Sequence, residues 1–284
     1  MNIKLERHTS LASLLSAALS AAEEGPVFYL AGGTDLMVQK DMLPAGTWLD
    51  ISDIPDLHGI RQQKDCIIIG SGVSHHEIMR SPLLKKHAPA LVQASSNVGG
   101  PQVRSRGTIG GNLGNASPAA DTVPALYSLR AVLNLISSEG ERSVPVDEFA
   151  LRPRRTVLKP GEIIHSVSIP IREGIQGFWH SIVQRNSLAI SKINIGFSYV
   201  LKAENSQAFD YVGVAFGSVG PTVLRAKKTE EFLLAEPLTP QRLEEACLVA
   251  QSEVTPIADI RSTAEYRKAM ARVLMHEALE PLFK

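Results

Sequence analysis

Apolar and polar positions repeat on two different periods along this chain, and the change of period marks its elements. Ser10, Ser13, Ser16 and Ser20 recur at spacings of three and four, and Leu11, Leu14, Leu15 and Ala18 fall on the other face. This predicts an amphipathic helix over 11–22, with Thr9 as its N-cap and Gly25 as its stop. Lys4 and Arg7 give the segment some likeness to an export signal, but a signal core would be apolar all round. Val27 to Leu30 reads as a buried strand halted by Gly32-Gly33, and Trp48 to Ile51 as a second. Asp65 to Gly70, with Cys66-Ile67-Ile68-Ile69, is a third. Helices are predicted from His75 to Met79 and from Leu83 to Val98, with a break at Pro89. Gly99 to Asn115 is rich in glycine and reads as a loop region. A helix from Pro118 to Leu129 and strands at Ala131–Ile136 and Ile163–Ile169 complete this half.

Pro, Arg, Glu and Gly gather between Pro170 and Gly177, and the pattern changes there. Ile193 to Leu201 and Tyr211 to Ser218 read as antiparallel strands joined by a polar turn at Glu204 to Gln207. Thr239 caps a helix with Pro240 at its first position, running from Gln241 to Glu253. Ser262 or Thr263 caps a last helix, Ala264 to Leu279, with Tyr266, Met270, Val273 and Leu274 on one face. The expected division is 1–173, itself split near 55–60, and 174–284. A length of 284 residues agrees with two domains.

Charge and cysteine content narrow the function classes. Twenty-nine Lys and Arg balance 29 Asp and Glu, so the chain has no net positive charge of the kind that marks a nucleic-acid binder. Two cysteines, Cys66 and Cys247, are too few for an iron–sulfur cluster or a four-cysteine zinc site. No run approaches the roughly 20 apolar residues of a membrane span. A soluble, cytoplasmic protein is expected.

Candidate chemistry concentrates in two glycine clusters. The first is Leu30-Ala31-Gly32-Gly33-Thr34-Asp35, a strand end entering Gly-Gly-Thr and then a helix. The second is Thr108-Ile109-Gly110-Gly111-Asn112, extended through Asn115 and Ser117-Pro118 to Asp121. Glycine lets backbone N–H groups converge on an anion, so such loops hold a pyrophosphate with dipoles instead of full charges. A single Gly-Gly-Thr is commonly just a turn; two clusters with polar extensions are harder to read that way. Neither is a Rossmann fingerprint or a P-loop. Asp121 also suits the N-terminal turn of a helix. His75-His76-Glu77 lacks the i, i+4 spacing of metal ligands on a helix and reads as a helix start. Arg152, Arg154 and Arg155 read as a solvated basic loop or a subunit contact.

These motifs resemble the FAD-binding subunit of molybdenum hydroxylases, the xanthine dehydrogenase and carbon monoxide dehydrogenase group. The likeness rests on Ala31 to Asp35, Arg106 to Asn112 and Asn115 to Asp121. The C-terminal stretch Pro256-Ile257-Ala258-Asp259-Ile260-Arg261-Ser262, with Glu265-Tyr266-Arg267, supports it. The resemblance implies an α+β fold, a two-part FAD-binding domain of the vanillyl-alcohol-oxidase type followed by a smaller domain of antiparallel sheet and helices. It implies FAD as cofactor, clasped between Leu30–Asp35 and Thr108–Asn112, with Asn115 near the phosphates or ribityl chain and Asp121 on sugar hydroxyls. Val98 and Ile164 match positions beside the isoalloxazine ring. It further implies an electron-transfer role, from the iron–sulfur clusters of a 2Fe-2S small subunit, beside a molybdopterin-binding large subunit, through FAD to NAD+ or another acceptor. Ser181 stands where many relatives have Lys, and His180 is the candidate substitute. A self-sufficient FAD oxidoreductase of the same superfamily and a non-catalytic assembly protein are the alternatives.

Overall fold

The computed structural model describes residues 3–185, 189–204 and 206–283, so the predicted turn at Glu204–Gln207 lies partly outside the described residues at Asn205. The N-terminal layer comprises β1 (Ile3–Arg7), α1 (Leu11–Glu24), β2 (Val27–Leu30) and β3 (Gly46–Asp50). Its strands form a parallel sheet in the order β1-β3-β2. The cap of α1 is Ser10, whose Oγ accepts from the Ser13 N–H, instead of Thr9. Leu14, Leu15 and Ala18 bury against Leu49, Ile54 and Leu57, and the serines face solvent as their period predicts. β2 is only half-buried, because it is an edge strand. No α-helix follows Gly-Gly-Thr; residues 34–38 form a run of turns, with Met37 N–H bonded to Gly33 O at 3.1 Å.

The second layer begins with β4 (Ile60–Gln63) and β5 (Cys66–Gly70). Six short helices follow: α2 (His75–Arg80), α3 (Pro82–His87), α4 (Pro89–Asn97), α5 (Pro101–Arg106), α6 (Ile109–Gly114) and α7 (Thr122–Ser128). Then come β6 (Val132–Ser137), β7 (Gly140–Pro145), α8 (Val146–Phe149), β8 (Ala150–Arg152), β9 (Arg155–Thr156) and β10 (Ile163–Pro170). The five-stranded sheet has the order β4-β5-β10-β6-β7, so β10 returns to its centre between β5 and β6. Gly99–Asn115 is therefore not a loop region: α5 and α6 occupy it. Pro101 opens α5, and Thr108 caps α6 by accepting from the Gly111 N–H, so tertiary and capping contacts override glycine's low helix propensity.

The third layer is the antiparallel sheet β11 (Gln176–Ile182), β12 (Ile193–Leu201), β13 (Phe209–Gly217) and β14 (Leu224–Arg225), in that order. It is followed by α9 (Lys227–Ala235), α10 (Pro240–Glu253) and α11 (Ala264–Leu279). One face of the sheet sends Ile193, Ile195, Phe197, Val212, Val214 and Phe216 into a core shared with the three helices. The other face carries glycines where it meets the helices, beside larger residues such as Trp179 and Tyr211. Methyl groups on Gly177, Gly196 and Gly213 would lie 2.6 Å from Ala90 N, 2.4 Å from Pro124 C and 1.9 Å from Ser128 O. That face packs directly on α4 and α7. On α11 the buried positions are Arg267, Ala271, Leu274, Met275, Ala278 and Leu279, while Tyr266 and Val273 are exposed. The expected face is thus rotated, because a paired arginine occupies a core-facing position.

Candidate functional site

The two glycine clusters come together where the first layer meets the second. A methyl on Gly32 would lie 1.7 Å from Arg106 O, so the two segments touch backbone to backbone. One on Gly107 would lie 3.3 Å from Thr34 Oγ1 and 3.4 Å from His75 Cδ2. Gly33 has φ 70°, a turn conformation that glycine adopts freely. The backbone N–H groups of Gly32, Gly33, Thr34, Asp35 and Leu36 find no hydrogen-bond acceptor among the described residues. Successive unspent amides on such a turn form an anion-binding nest. Leu30 and Ala31, half-buried, lead into it, and the exposed Asp35 accepts from Gln39 Nε2 at 2.7 Å.

The second segment divides into a structural half and an open half. Ile109 is fully buried, and its N–H goes to Val73 O at 3.0 Å. Gly110 gives its N–H to Ser71 O at 2.9 Å, and its Cα is packed so tightly that a methyl would lie 2.6 Å from Ser71 Cβ. Their amides are therefore committed within the protein. Gly111 is exposed, and a methyl there would approach only Thr108 Oγ1, at 3.0 Å. Asn112 Oδ1 accepts from Thr122 Oγ1 at 2.6 Å, which fixes the amide with its Nδ2 donors unspent among the described residues. Asn115, half-buried, follows at the end of α6.

Asp121 is a meeting point with the third layer. Its Oδ1 accepts from Ser191 Oγ at 2.7 Å and from Asn194 Nδ2 at 3.0 Å, and its backbone O accepts from Trp179 Nε1 at 2.8 Å. Burial pushes this carboxyl above its ordinary range, and the two side-chain donors pull it back. Val98 is half-buried at the end of α4, where Arg104 Nη1 donates to its carbonyl at 3.2 Å and to Gly99 O at 2.9 Å. Ile164 is buried in the main core, next to a bulge in β10. The carbonyl of the bulged residue, His165, accepts from Ser71 N–H at 3.0 Å, which ties that strand to the Ser71–Gly110 contact.

Several participants lay outside the motifs. His75 is a helix start, as its spacing predicted, but it is buried against Gly107, and its Nδ1 has no partner among the described residues. Arg154 reaches the side chain of Gln39 and gives its N–H to Ala116 O at 3.2 Å, so it links the extensions of both clusters. His180 does not replace a lysine at Ser181. Its Nδ1 lies 2.7 Å from Glu277 Oε2 of α11, on the face opposite to its strand neighbours Trp179 and Ser181. Ser181 pairs in register with Asn194, on the Asp121 side.

The site thus offers uncharged backbone and amide donors, together with the carboxylates of Asp35 and Asp121. Among the described residues no group of three or more His, Cys, Asp and Glu could hold a metal ion. No helix there is long and apolar enough to cross a membrane.

Comparison with known proteins finds family matches over both parts of the chain. Residues 2–172 match the family described as FAD binding domain in molybdopterin dehydrogenase, and residues 180–282 match the CO dehydrogenase flavoprotein C-terminal domain. The chain is 32% identical to the nicotinate dehydrogenase FAD-subunit of Eubacterium barkeri, over 86% of this chain and 83% of that one. It is 28% identical to the carbon monoxide dehydrogenase medium chain of Hydrogenophaga pseudoflava, over 88% and 87% of the two chains. A solved structure of carbon monoxide dehydrogenase from the same organism superposes with a TM-score of 0.92 at 25% identity, covering 100% of this chain and 98% of that one.

Proposed function

Since the chain belongs to the family of FAD-binding subunits of molybdenum hydroxylases, we propose that it is the electron-carrying middle component of such an enzyme. On this reading a molybdopterin-binding large subunit oxidises the substrate, a 2Fe-2S small subunit relays the electrons, and NAD+ or another acceptor receives them. FAD, when bound, supplies the exchange between a two-electron acceptor and the partner's iron–sulfur centres. This chain's own residues bind and orient it.

The residues present suit that cofactor. The observation that carries the reading is the row of unspent amides from Gly32 to Leu36, set against the Arg106–Asn112 segment. A pyrophosphate held by such amides needs no cationic side chain, in keeping with a chain of zero net charge. Ala31, Gly32, Gly33, Thr34 and Asp35 form one wall on this reading. Thr108, Gly111, Asn112 and Asn115 form the other, with Ile109 and Gly110 holding it from behind. Asp121 takes sugar hydroxyls, and Leu30, Val98 and Ile164 supply apolar surface. We assign residues 1–173, split near 55–60, to the flavin-carrying domain and 174–284 to the second.

The test is to purify the tagged chain gently from its host and quantify flavin, iron and molybdenum in one fraction. Stoichiometric flavin with iron and molybdenum on co-purifying chains is expected. Flavin on a single chain that turns over alone, or no flavin at all, would overturn the proposal.

A further inference from the structure

The C-terminal motif Asp259-Ile260-Arg261-Ser262 with Arg267 stands far in sequence from both glycine clusters. It nevertheless begins an unbroken chain of hydrogen bonds that ends on Asp121. Arg267 lies on α11 and is 4% exposed. Its Nη2 donates to Asp259 Oδ1 at 2.5 Å and its Nη1 to Ser218 O at 2.9 Å. Asp259 is held in place by the N–H groups of Arg261 and Ser262, which donate to the same Oδ1 at 2.9 and 3.2 Å. Burial alone would raise the Asp259 carboxyl, but those bonds and the two guanidinium groups hold it near 2.

Ser218 is the junction. Its φ is 61°, a left-handed conformation that costs a serine on the order of 1 kcal/mol. Three separate contacts hold it there. Its N–H donates to Pro118 O at 2.8 Å, its carbonyl takes Arg267, and its Oγ donates to Ser191 O at 3.1 Å. Ser191 Oγ then donates to Asp121 Oδ1, and Asn194 Nδ2 donates to the same oxygen. Ser191, Asn194 and Ser218 are 2%, 0% and 5% exposed. Asn194 of β12 and the indole of Trp179 of β11 come from the sheet of the third layer, and Ser191 from the segment that enters β12. The other carboxylate oxygen, Oδ2, has no partner among the described residues.

A buried arginine and a left-handed serine are each unfavourable in isolation. Both sit in one chain of contacts that ends on a single carboxylate, and that convergence is what needs explaining. We infer that Arg267, Ser218, Ser191 and Asn194 are positioning residues for Asp121: they fix Oδ1 so that Oδ2 stays turned to a hydroxyl of bound FAD. The C-terminal layer thereby sets flavin affinity without touching the pyrophosphate loops. The inference rests on the reading of Asp121 as a flavin ligand, and the experiment separates the two.

Arg267→Ala would take from Asp259 one of its two guanidinium partners and empty a buried position, disturbing folding, so the variants are Ser191→Ala, Ser218→Gly and Asp121→Ala in the full chain. Ser218→Gly accepts the left-handed backbone conformation and deletes the hydroxymethyl side chain, and with it the bond to Ser191 O. FAD is removed, and its rebinding is followed by flavin fluorescence, with thermal melting of each apo-chain in parallel. Ser191→Ala is expected to weaken FAD about tenfold, the equivalent of ~1.4 kcal/mol, with an unchanged melting midpoint. Ser218→Gly should show a smaller loss, and Ser191→Thr, which keeps the hydroxyl, should restore binding. In the Asp121→Ala background the Ser191 substitution should have no further effect, because its only route to the cofactor is gone. An equal loss in both backgrounds would reduce the chain of contacts to general support and overturn the inference. So would full affinity in Ser191→Ala while Asp121→Ala is weakened, and the Asp121 reading would then stand. Native affinity in Asp121→Ala would overturn the ligand reading and the inference with it.

Discussion

Within the candidate site, neighbouring glycines have different jobs. Gly32 and Gly110 are glycines because backbone or Ser71 fills the space a methyl would need, whereas Gly111 is open on its outer side. Gly111→Glu should therefore fold, yet it would aim a carboxylate at the proposed pyrophosphate. We expect loss of bound flavin with a melting midpoint close to that of the native apo-chain, read by visible absorbance and thermal melting. Retained flavin would remove Gly111 from the site. Gly32→Ala should behave differently: the 1.7 Å approach to Arg106 O forces the loops apart, at a cost of about 1–3 kcal/mol in stability as well as binding.

His75 adds a pH dependence at the same scale. Burial, with the charge of Arg104 beside it, pushes the imidazole down to about 4. In the unfolded chain it protonates near its ordinary value of about 6.5. The folded form thus binds the proton less readily. Its contribution is complete above pH ~6.5 and is lost progressively as pH falls toward 4, on the order of 3 kcal/mol in all. Melting of the chain between those limits should fall steeply, and His75→Leu should flatten the slope. The sequence marked His75 as a helix start and nothing more, because its burial depends on Gly107, more than thirty positions away.

Among the elements, what was legible depended on whether local pattern or distant contact decides the outcome. The α1 helix follows its serine period, and α10 begins at Thr239-Pro240 with Thr239 accepting from the Arg242 N–H. The α5 and α6 helices were hidden, since a segment with glycines at 107, 110, 111 and 114 has low helix propensity. Pro101 opens α5, and α6 exists because Thr108 caps it and because Val73 O and Ser71 O take its first amides. The strand β1 (Ile3–Arg7) is mostly exposed and carries no buried period, so only its pairing with β3 defines it. Asn194 could have been noticed as an amide between two isoleucines in an apolar run, which marks a buried polar position with a specific partner. Ser191 gave no such signal. The close approach of β13 to α7 is testable as an element property. Gly213→Ala would put a methyl 1.9 Å from Ser128 O, and the strand and helix would have to separate. A loss of about 1–3 kcal/mol in denaturant unfolding is expected.

At the scale of the whole molecule, the central question is whether the layers are independent bodies. Every residue of α7 is buried, caught between its own layer and the sheet β11–β14. The glycines at 177, 196 and 213 that allow this are scattered in sequence, and only strand register brings them onto one face, so no sequence period could announce the interface. Polar links cross it as well. Gln93 Oε1 accepts from Trp179 N–H at 2.8 Å, and Gln93 Nε2 donates to Gly177 O at 3.1 Å. Arg130 and Arg225 both bond the buried Glu230, and Arg225 lies 3.4 Å from Asp147. Arg130–Glu230 and Arg225–Asp147 cross the interface, whereas Arg225–Glu230 lies within the third layer, and breaking a buried pair by removing one partner costs several kcal/mol. A fragment of residues 1–173 would expose the apolar and glycine-fitted surface of α4 and α7 with nothing to cover it. The full chain should therefore unfold in a single calorimetric transition whose van't Hoff and calorimetric enthalpies agree. The 1–173 fragment should bind a hydrophobic dye and lack a cooperative melt. Two resolved transitions, or a fragment that melts cooperatively by itself, would show that the third layer is an appendage. It would then have no hold on Asp121, since a body that unfolds separately cannot fix a carboxylate in its neighbour.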